Sequence, residues 1–336
     1  VSRMRIEGSK DAAPRALDYA VARTIYKVLL MYYQEQRTQA DIGKIIGQSA
    51  ATVNRLIKQG RDAGMVEITI SPLFDFQHEL ERRLTAETGL EEALVVPAEF
   101  DDQDLVLRAV GQAAAHYLLS RLKDGDTICI SGGKGVSAVV EGLRTTRSYK
   151  ASVVPATGLV QGRHYIDVNH VASELAGRLG GTAYQIHAPM FADSDEQRDM
   201  LRGVSAVADV LDRARKASIA LVGIGSVLAA GSSYLDFALR TWSPKDRAMI
   251  SNAGAQGEVI ANLLDATGAL APYPRNALLV GLAPDDLRRI PCTIGVAAGP
   301  AKVAPICSVL RGGYLKTLVT DERTASAVLD SMQEKS

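Results

Sequence analysis

The 336-residue chain reads as an α/β protein in two parts: an N-terminal helix-turn-helix domain, winged-helix-like, and a doubly wound, mainly parallel α/β domain. Three observations predict this. Residues 14 to about 68 carry apolar side chains at three- and four-residue spacing, punctuated by capping residues and glycines. From Leu94 onward, short β-branched runs alternate with helical stretches, the pattern of strands covered on both faces. Apolar residues make up 47% and aromatic residues only 5%, which suits aliphatic strands under helices. The expected boundaries are 1–71 for the head, 72–90 for a linker helix and 91–336 for the α/β domain.

In the head, Pro14 opens a helix through Leu17, Val21, Ile25, Val28, Leu29 and Tyr32. Thr38 is a good N-cap for a second helix, with Asp41 at its third position, and Gly47 stops it. Ser49 caps a third helix with Val53, Leu56 and Ile57 inside, and Gly60 and Gly64 near its end. Met65 to Ile70 alternates and is β-branched, so a short strand is expected, part of a wing. After Pro72, Leu73 to Thr88 forms an amphipathic helix with Leu73, Phe76, Leu80 and Leu84 on one side. Two roles stay open for it: packing against a second subunit, or lying on its own domain.

Strands are expected at Leu94–Val96, Thr127–Ser131, Ser152–Pro155, Thr182–His187, Ile219–Ile224, Ala277–Val280, Thr293–Ala297 and Leu315–Thr320. Helices fall between them, at Asp104–Leu122, Val136–Arg144, Asn169–Leu179, Val204–Arg215, Ala301–Leu310 and Glu322–Met332. No internal repeat or low-complexity tract is visible.

Composition narrows the function classes. The first residues are charged and no run reaches 18 apolar residues, so a cytoplasmic protein without a membrane segment is expected. Cys129, Cys292 and Cys307 are widely spaced and show no ligand pattern, so buried free thiols and no metal are expected. No GxxxxGK[ST] is present, and Gly223-Ile-Gly225 lacks dinucleotide spacing, so no cofactor is expected. The net charge of zero hides a basic head: residues 1–68 carry 11 Lys+Arg against 7 Asp+Glu, and the remainder 27 against 31.

Two short helices joined through Gly47-Gln48-Ser49 are the minimum for a DNA reader, the second entering the major groove N-terminus first. Asn54 and Arg55 can pair bidentately with adenine and guanine edges, and Thr52 can touch a base or a thymine methyl. Gln39, Lys44, Ser49 and Lys58 suit phosphate contacts, and Gln48 in the turn is a further DNA-contact candidate. A three-helix bundle with a solvated polar face is the plainer alternative.

In the α/β domain, ligands are expected at the carboxyl edge of the sheet. Glycine-rich or polar loops follow several strands there, and they carry the candidate effector residues Gly132, Gly133, Lys134, Thr157, Gly158, Gln161, Asp167, Asn169, Gly225, Ser226, Glu258 and Lys302. Glycines admit an anion close to backbone N–H groups at a helix start. Lys134 is suited to pairing with a phosphate, to forming a Schiff base with an aldehyde sugar if burial lowers its pKa, or to standing solvated at a loop tip. Asp167 and Asn169 suit sugar hydroxyls, with N-capping as the competing role.

The stretches Tyr32-Tyr33-Gln-Glu-Gln-Arg-Thr38-Gln39-Ala-Asp-Ile42-Gly, Thr52-Val53-Asn54-Arg55-Leu56-Ile57 and Gly64-Met-Val66-Glu-Ile68 resemble the head of SorC-type regulators. Val95-Val96-Pro97, Gly223-Ile-Gly225, Gly254-Ala-Gln-Gly257-Glu258, Ala298-Gly299 with Lys302, and Leu318-Val-Thr320-Asp321-Glu322 with Ala325 resemble that family's sugar-binding domain. Where the family places an Arg after the turn Ser, this chain has Ala50 and Ala51, and Thr157 stands where some members carry an Arg. The resemblance implies a fold similar to sugar-phosphate isomerases, with Glu258 and Lys302 lining the effector pocket. It implies a sequence-specific transcriptional regulator whose DNA affinity responds to a sugar, polyol or sugar phosphate, acting on operator DNA as a homodimer or homotetramer. A sugar-phosphate isomerase or deaminase with an appended helical domain is the alternative.

Overall fold

A computed structural model describes residues 19–66, 75–160, 167–227 and 244–333. The chain divides into two compact units, Val1–Leu73 and Phe74–Ser336.

In the first unit, α1 (Tyr19–Leu29) turns into a single π segment (Leu30–Gln34), then α2 (Gln39–Ile46) and α3 (Ala50–Asp62) follow. The helix expected to run through Tyr32 loses its α register at Leu30, because Glu35 N donates to Leu30 O five residues back. Thr38 Oγ1 accepts from Asp41 N, and Ser49 Oγ accepts from Thr52 N, so both helices start where a hydroxyl can satisfy an orphan donor. Gly47 ends α2 at φ +67°, a left-handed conformation that glycine adopts at no steric cost. Ile25, Val28, Leu29, Ile42, Val53 and Ile57 close the core. The start of the first helix at Pro14 lies outside the described residues, as does the strand expected at Met65–Ile70 beyond Val66.

The second unit begins with α4 (Asp75–Thr88), followed by β1 (Glu92–Val96), α5 (Gln103–Arg121), β2 (Thr127–Ile130), α6 (Lys134–Gly142), β3 (Ser152–Pro155), α7 (Val168–Leu179) and β4 (Thr182–Ala183). It continues through α8 (Asp195–Gly203), α9 (Ser205–Arg215), β5 (Ile219–Ser226), α10 (Pro244–Asn252), β6 (Gly257–Val259), β7 (Asn262–Leu264), α11 (Pro274–Ala277) and α12 (Pro284–Arg289). It ends with β8 (Cys292–Val296), a 3-10 turn (Pro300–Lys302), α13 (Val303–Arg311), β9 (Thr317–Asp321) and α14 (Glu322–Gln333). Strands β1-β9-β8-β5-β2-β3-β4 form one parallel sheet, and β6 and β7 add an antiparallel hairpin to the carboxyl end of β5. The central strands are buried along almost their whole length, as the unbroken aliphatic runs predict.

α4 lies on its own unit. Leu80 and Leu84 join the main core, Glu81 Oε1 accepts from Val95 N at 2.9 Å, and Gln77 Nε2 donates to Glu322 Oε2 at 2.6 Å. Phe76, expected on the same apolar side, is instead 55% exposed.

Two expected strands differ. Thr182–His187 shortens to two residues at the sheet edge. Ala277–Val280 does not form a strand: Pro274 starts a helical turn, Leu279 makes only an isolated antiparallel bridge with Phe191, and the carbonyls of Ala277, Leu279 and Gly281 accept from Arg198 and Arg202 of α8. The expected helix Val204–Arg215 is preceded by α8, which buries no residue and so gives no apolar signal.

α5 and α6 run parallel and touch at their smallest residues. A Cβ on Gly111 would stand 2.6 Å from the Ala138 carbonyl, and one on Gly142 would stand 3.0 Å from Gln112 Cα. Gly111→Val therefore forces the helices apart and is expected to lower unfolding stability by about 1–3 kcal/mol, read by chemical denaturation. An unchanged midpoint would rule out this close approach.

Candidate functional site

The strands of a parallel sheet end together, and here the ends of β2, β5 and β8 open onto a cavity of about 170 Å³. Loop 131–135 forms one wall. Gly133 has φ +122° and stands at the cap of α6, where it offers no side-chain acceptor to the first-turn N–H groups. Gly135 sits where a Cβ would come within 2.9 Å of Val296 O, drawing the start of α6 against the end of β8. Ser131 Oγ accepts from Gly223 N and so ties this loop to β5.

The opposite wall is the β6–β7 hairpin. Its two turn residues, Ile260 and Ala261, have φ of +43° and +64°, which a two-residue turn with both central φ positive requires but which non-glycine residues rarely adopt. Glu258 offsets this strain: its Oε1 accepts from Ala261 N at 2.6 Å. A Cβ on Gly225 would lie 1.9 Å from Glu258 Oε2, so only glycine leaves room for this carboxyl. Burial pushes the Glu258 pKa up from its ordinary 4.5 to about 7, against the pull of the Ala261 N–H and the Lys302 charge.

Lys302 enters from the 3-10 turn after β8, and its Nζ donates to Ile224 O at 2.8 Å. Burial lowers its pKa from 10.5 to about 8, while Glu258 raises it and Lys134 lowers it. The cavity thus holds two lysines, a helix start without a side-chain cap and a buried carboxyl. Such a set accepts an anion at one place and hydroxyl donors at another.

Of the candidate effector residues, Gly132, Gly133, Lys134, Thr157, Gly225, Glu258 and Lys302 line this cavity. Others do not reach it. Gly158 packs backbone to backbone, where a Cβ would lie 2.3 Å from Pro189 O. Asp167 caps α7 by accepting from Asn169 N and His170 N, and the Asn169 amide spans Ile186 N and Ile186 O. Ser226, the last residue of β5, is absent from the lining, and Gln161 lies outside the described residues. Gln103, Asp104, Leu107 and Met190 line the cavity although no sequence signal marked them, since they come from α5 and from the loop after β4. Among the described residues, no group of three or more His, Cys, Asp or Glu is placed to hold a metal ion, and no helix is long and apolar enough to cross a membrane.

In the first unit, Asn54, Arg55 and Lys58 are exposed on α3, on the side away from Val53 and Ile57. Lys44 and Gln48 are exposed, and Gln39 is half-buried at the first turn of α2. Ser49 and Thr52 bond to one another through their hydroxyls at 3.0 Å. The turn is tight: a Cβ on Gly43 would come within 2.5 Å of Gln48 O.

Residues 74–330 match a family of sequences described as "Putative sugar-binding domain". The chain is 28% identical to the sorbitol operon regulator of Klebsiella pneumoniae over 319 residues, covering 91% of this chain and 98% of that protein. It is 29% identical to the transcriptional regulator LsrR of Escherichia coli (strain K12) over 309 residues, covering 91% of this chain and 94% of that protein. The crystal structure of full-length SorC from Klebsiella pneumoniae superposes with a TM-score of 0.70 at 27% identity, covering 92% of this chain and 99% of that one.

The chain belongs to the SorC family of sugar-binding transcriptional regulators. The matched span holds the whole cavity, and the likeness to full-length SorC extends over both units.

The shifted acid has a consequence for stability. Between about pH 4.5 and 7 the folded chain keeps on Glu258 a proton that the unfolded chain has released, so stability falls as pH rises through that window. Lys302 acts oppositely: between about pH 8 and 10.5 the unfolded chain holds the extra proton, and stability rises with pH. Glu258→Gln is expected to flatten the lower slope in thermal melts taken across that range; an identical slope in the variant would remove Glu258 as its source.

Proposed function

We propose that this protein is a transcriptional regulator that reads operator DNA with α3 and changes its DNA affinity when the strand-end cavity takes up a sugar, polyol or sugar phosphate. The observation that carries the reading is the cavity itself: two lysines and a helix start without a side-chain cap share it with a buried glutamic acid whose pKa is raised to about 7. An anion such as a phosphate suits the Gly132-Gly133-Lys134 start of α6 and Lys302. Hydroxyls suit Glu258 and Thr157. Gly225 keeps the backbone low enough for Glu258 to reach the ligand's position.

On the DNA side, Asn54, Arg55 and Thr52 are assigned to base edges, and Gln39, Lys44, Gln48, Ser49 and Lys58 to phosphates. Residues 1–71 serve as the reading head and 91–336 as the effector domain. One head covers few base pairs, so the working form is a homodimer or homotetramer on a repeated half-site. The relatives named above are called regulators, which supports a binding rather than a catalytic role.

Control is a matter of differential affinity: the ligand has to favour one of two states that differ in their grip on DNA. Anisotropy titrations of the full chain on its own promoter DNA test this. Affinity is expected to fall linearly with log salt, by a slope of about 0.9 for each phosphate neutralised. Arg55→Ala is expected to lose on the order of 1–3 kcal/mol of specific binding. Lys302→Met is expected to keep DNA binding while losing the response to sugar phosphates, scored by thermal shift and by anisotropy. Absence of any sequence preference at moderate salt would refute the regulator reading.

A further inference from the structure

The cavity is bordered by two helix starts, and the sequence treats them in opposite ways. α5 and α6 run side by side in the same direction, with Gly111 against Ala138 and both Leu107 and Lys134 on the cavity wall. Each first turn presents N–H groups without intrahelical acceptors, and each favours negative charge. At α5 that demand is met from within: Asp102 Oδ1 accepts from Asp104 N at 2.9 Å and from Leu105 N at 3.1 Å. At α6 the cap is Gly133, which offers no side-chain acceptor, and the first helical residue is Lys134.

Charge is therefore graded across the opening. Lys134 and Lys302 stand toward α6 and β8, while Asp104 is exposed on the α5 side of the same cavity and its carboxylate accepts no hydrogen bond among the described residues. A separate observation points to a ligand with hydroxyls: Glu258 lines the cavity and is only 7% exposed, and its Oε2 accepts no hydrogen bond among the described residues.

We infer that Asp104 sets the charge specificity of this cavity: it takes a polyhydroxy compound bearing one anionic group, seated at α6, and rejects a compound with an anionic group at each end. A second phosphate would face the Asp104 carboxylate beside a helix start already neutralised by Asp102. Like charges at close range repel. A terminal hydroxyl in that place would instead donate to Asp104. The inference rests on the reading of the cavity as the effector site.

The test is isothermal titration of the full chain with matched pairs: sorbitol 6-phosphate against sorbitol 1,6-bisphosphate, fructose 6-phosphate against fructose 1,6-bisphosphate, and ribose 5-phosphate against ribose 1,5-bisphosphate. For the pair that binds, the monophosphate is expected to bind at least about tenfold more tightly, a difference of about 1.4 kcal/mol. Asp104→Asn is expected to narrow that ratio by strengthening the bisphosphate, while Asp104→Glu preserves it. Asp104 is exposed, so neither change removes core packing. A wild-type protein that binds the bisphosphate as well as the monophosphate overturns the inference, as does an Asp104→Asn ratio equal to wild type. Binding that survives Lys134→Met and Lys302→Met together, or no binding by any pair, removes the effector reading and this inference with it.

Discussion

Desolvation at the carboxyl end of β5 is the constraint around which the second unit is arranged. Glu258 sits there with almost no access to solvent, and a bare carboxylate in that place would be costly. The fold answers in three ways: the pKa rises, the Ala261 N–H is aimed at Oε1, and Lys302 is brought near enough to attract it. Each answer shapes something else. The Ala261 bond holds a turn whose backbone is otherwise unfavourable. The room for the carboxyl exists only because residue 225 has no side chain. Lys302 Nζ donates to Ile224 O, which fixes where its charge stands on the cavity wall.

Support for the Lys302 loop comes from a second buried acid. Asp321, at the end of β9, accepts from Gly299 N and from both the N–H and the hydroxyl of Thr324. Next in the chain, Glu322 accepts from Gln77 of α4 and from Ala98 N. Two consecutive carboxylates thus fix a cavity loop on one side and the first helix of the unit on the other. These are positional duties, distinct from the ligand chemistry assigned to Glu258.

Much of this was legible in the sequence, for reasons that differ by region. The strands of the parallel sheet announce themselves because both faces are buried, so their runs are mostly aliphatic and lack charge, as in Ile219–Ser226 and Cys292–Val296. The head helices announce themselves through Thr38, Gly47 and Ser49, whose short polar or absent side chains have local work at helix ends. Gly132 and Lys134, which follow β2, are marked by the rule that ligands sit at strand ends, whereas Glu258 and Lys302 are marked by the resemblance to the sugar-binding domain. Gln103 and Asp104 escaped because their membership depends on which helix lies beside α6, a long-range fact that no local pattern encodes. Asp167 and Asn169 look like sugar ligands in one dimension, but both are occupied by backbone groups, of α7 and of Ile186. The β6–β7 hairpin was read as a glycine loop because its strands are three residues long and its turn lacks the usual Asn-Gly signal.

The glycine contact between α5 and α6 has one more implication. Bare backbone on each side of the seam lets the pair ride as one block, whatever stands on the loops at its open end. The side chains at 104 and 134 can then differ without entering the seam, which lies about two turns further along α5 and about one turn further along α6. A scaffold of this kind lets the cavity mouth vary while the frame stays fixed, since the two are written in different parts of the same two helices.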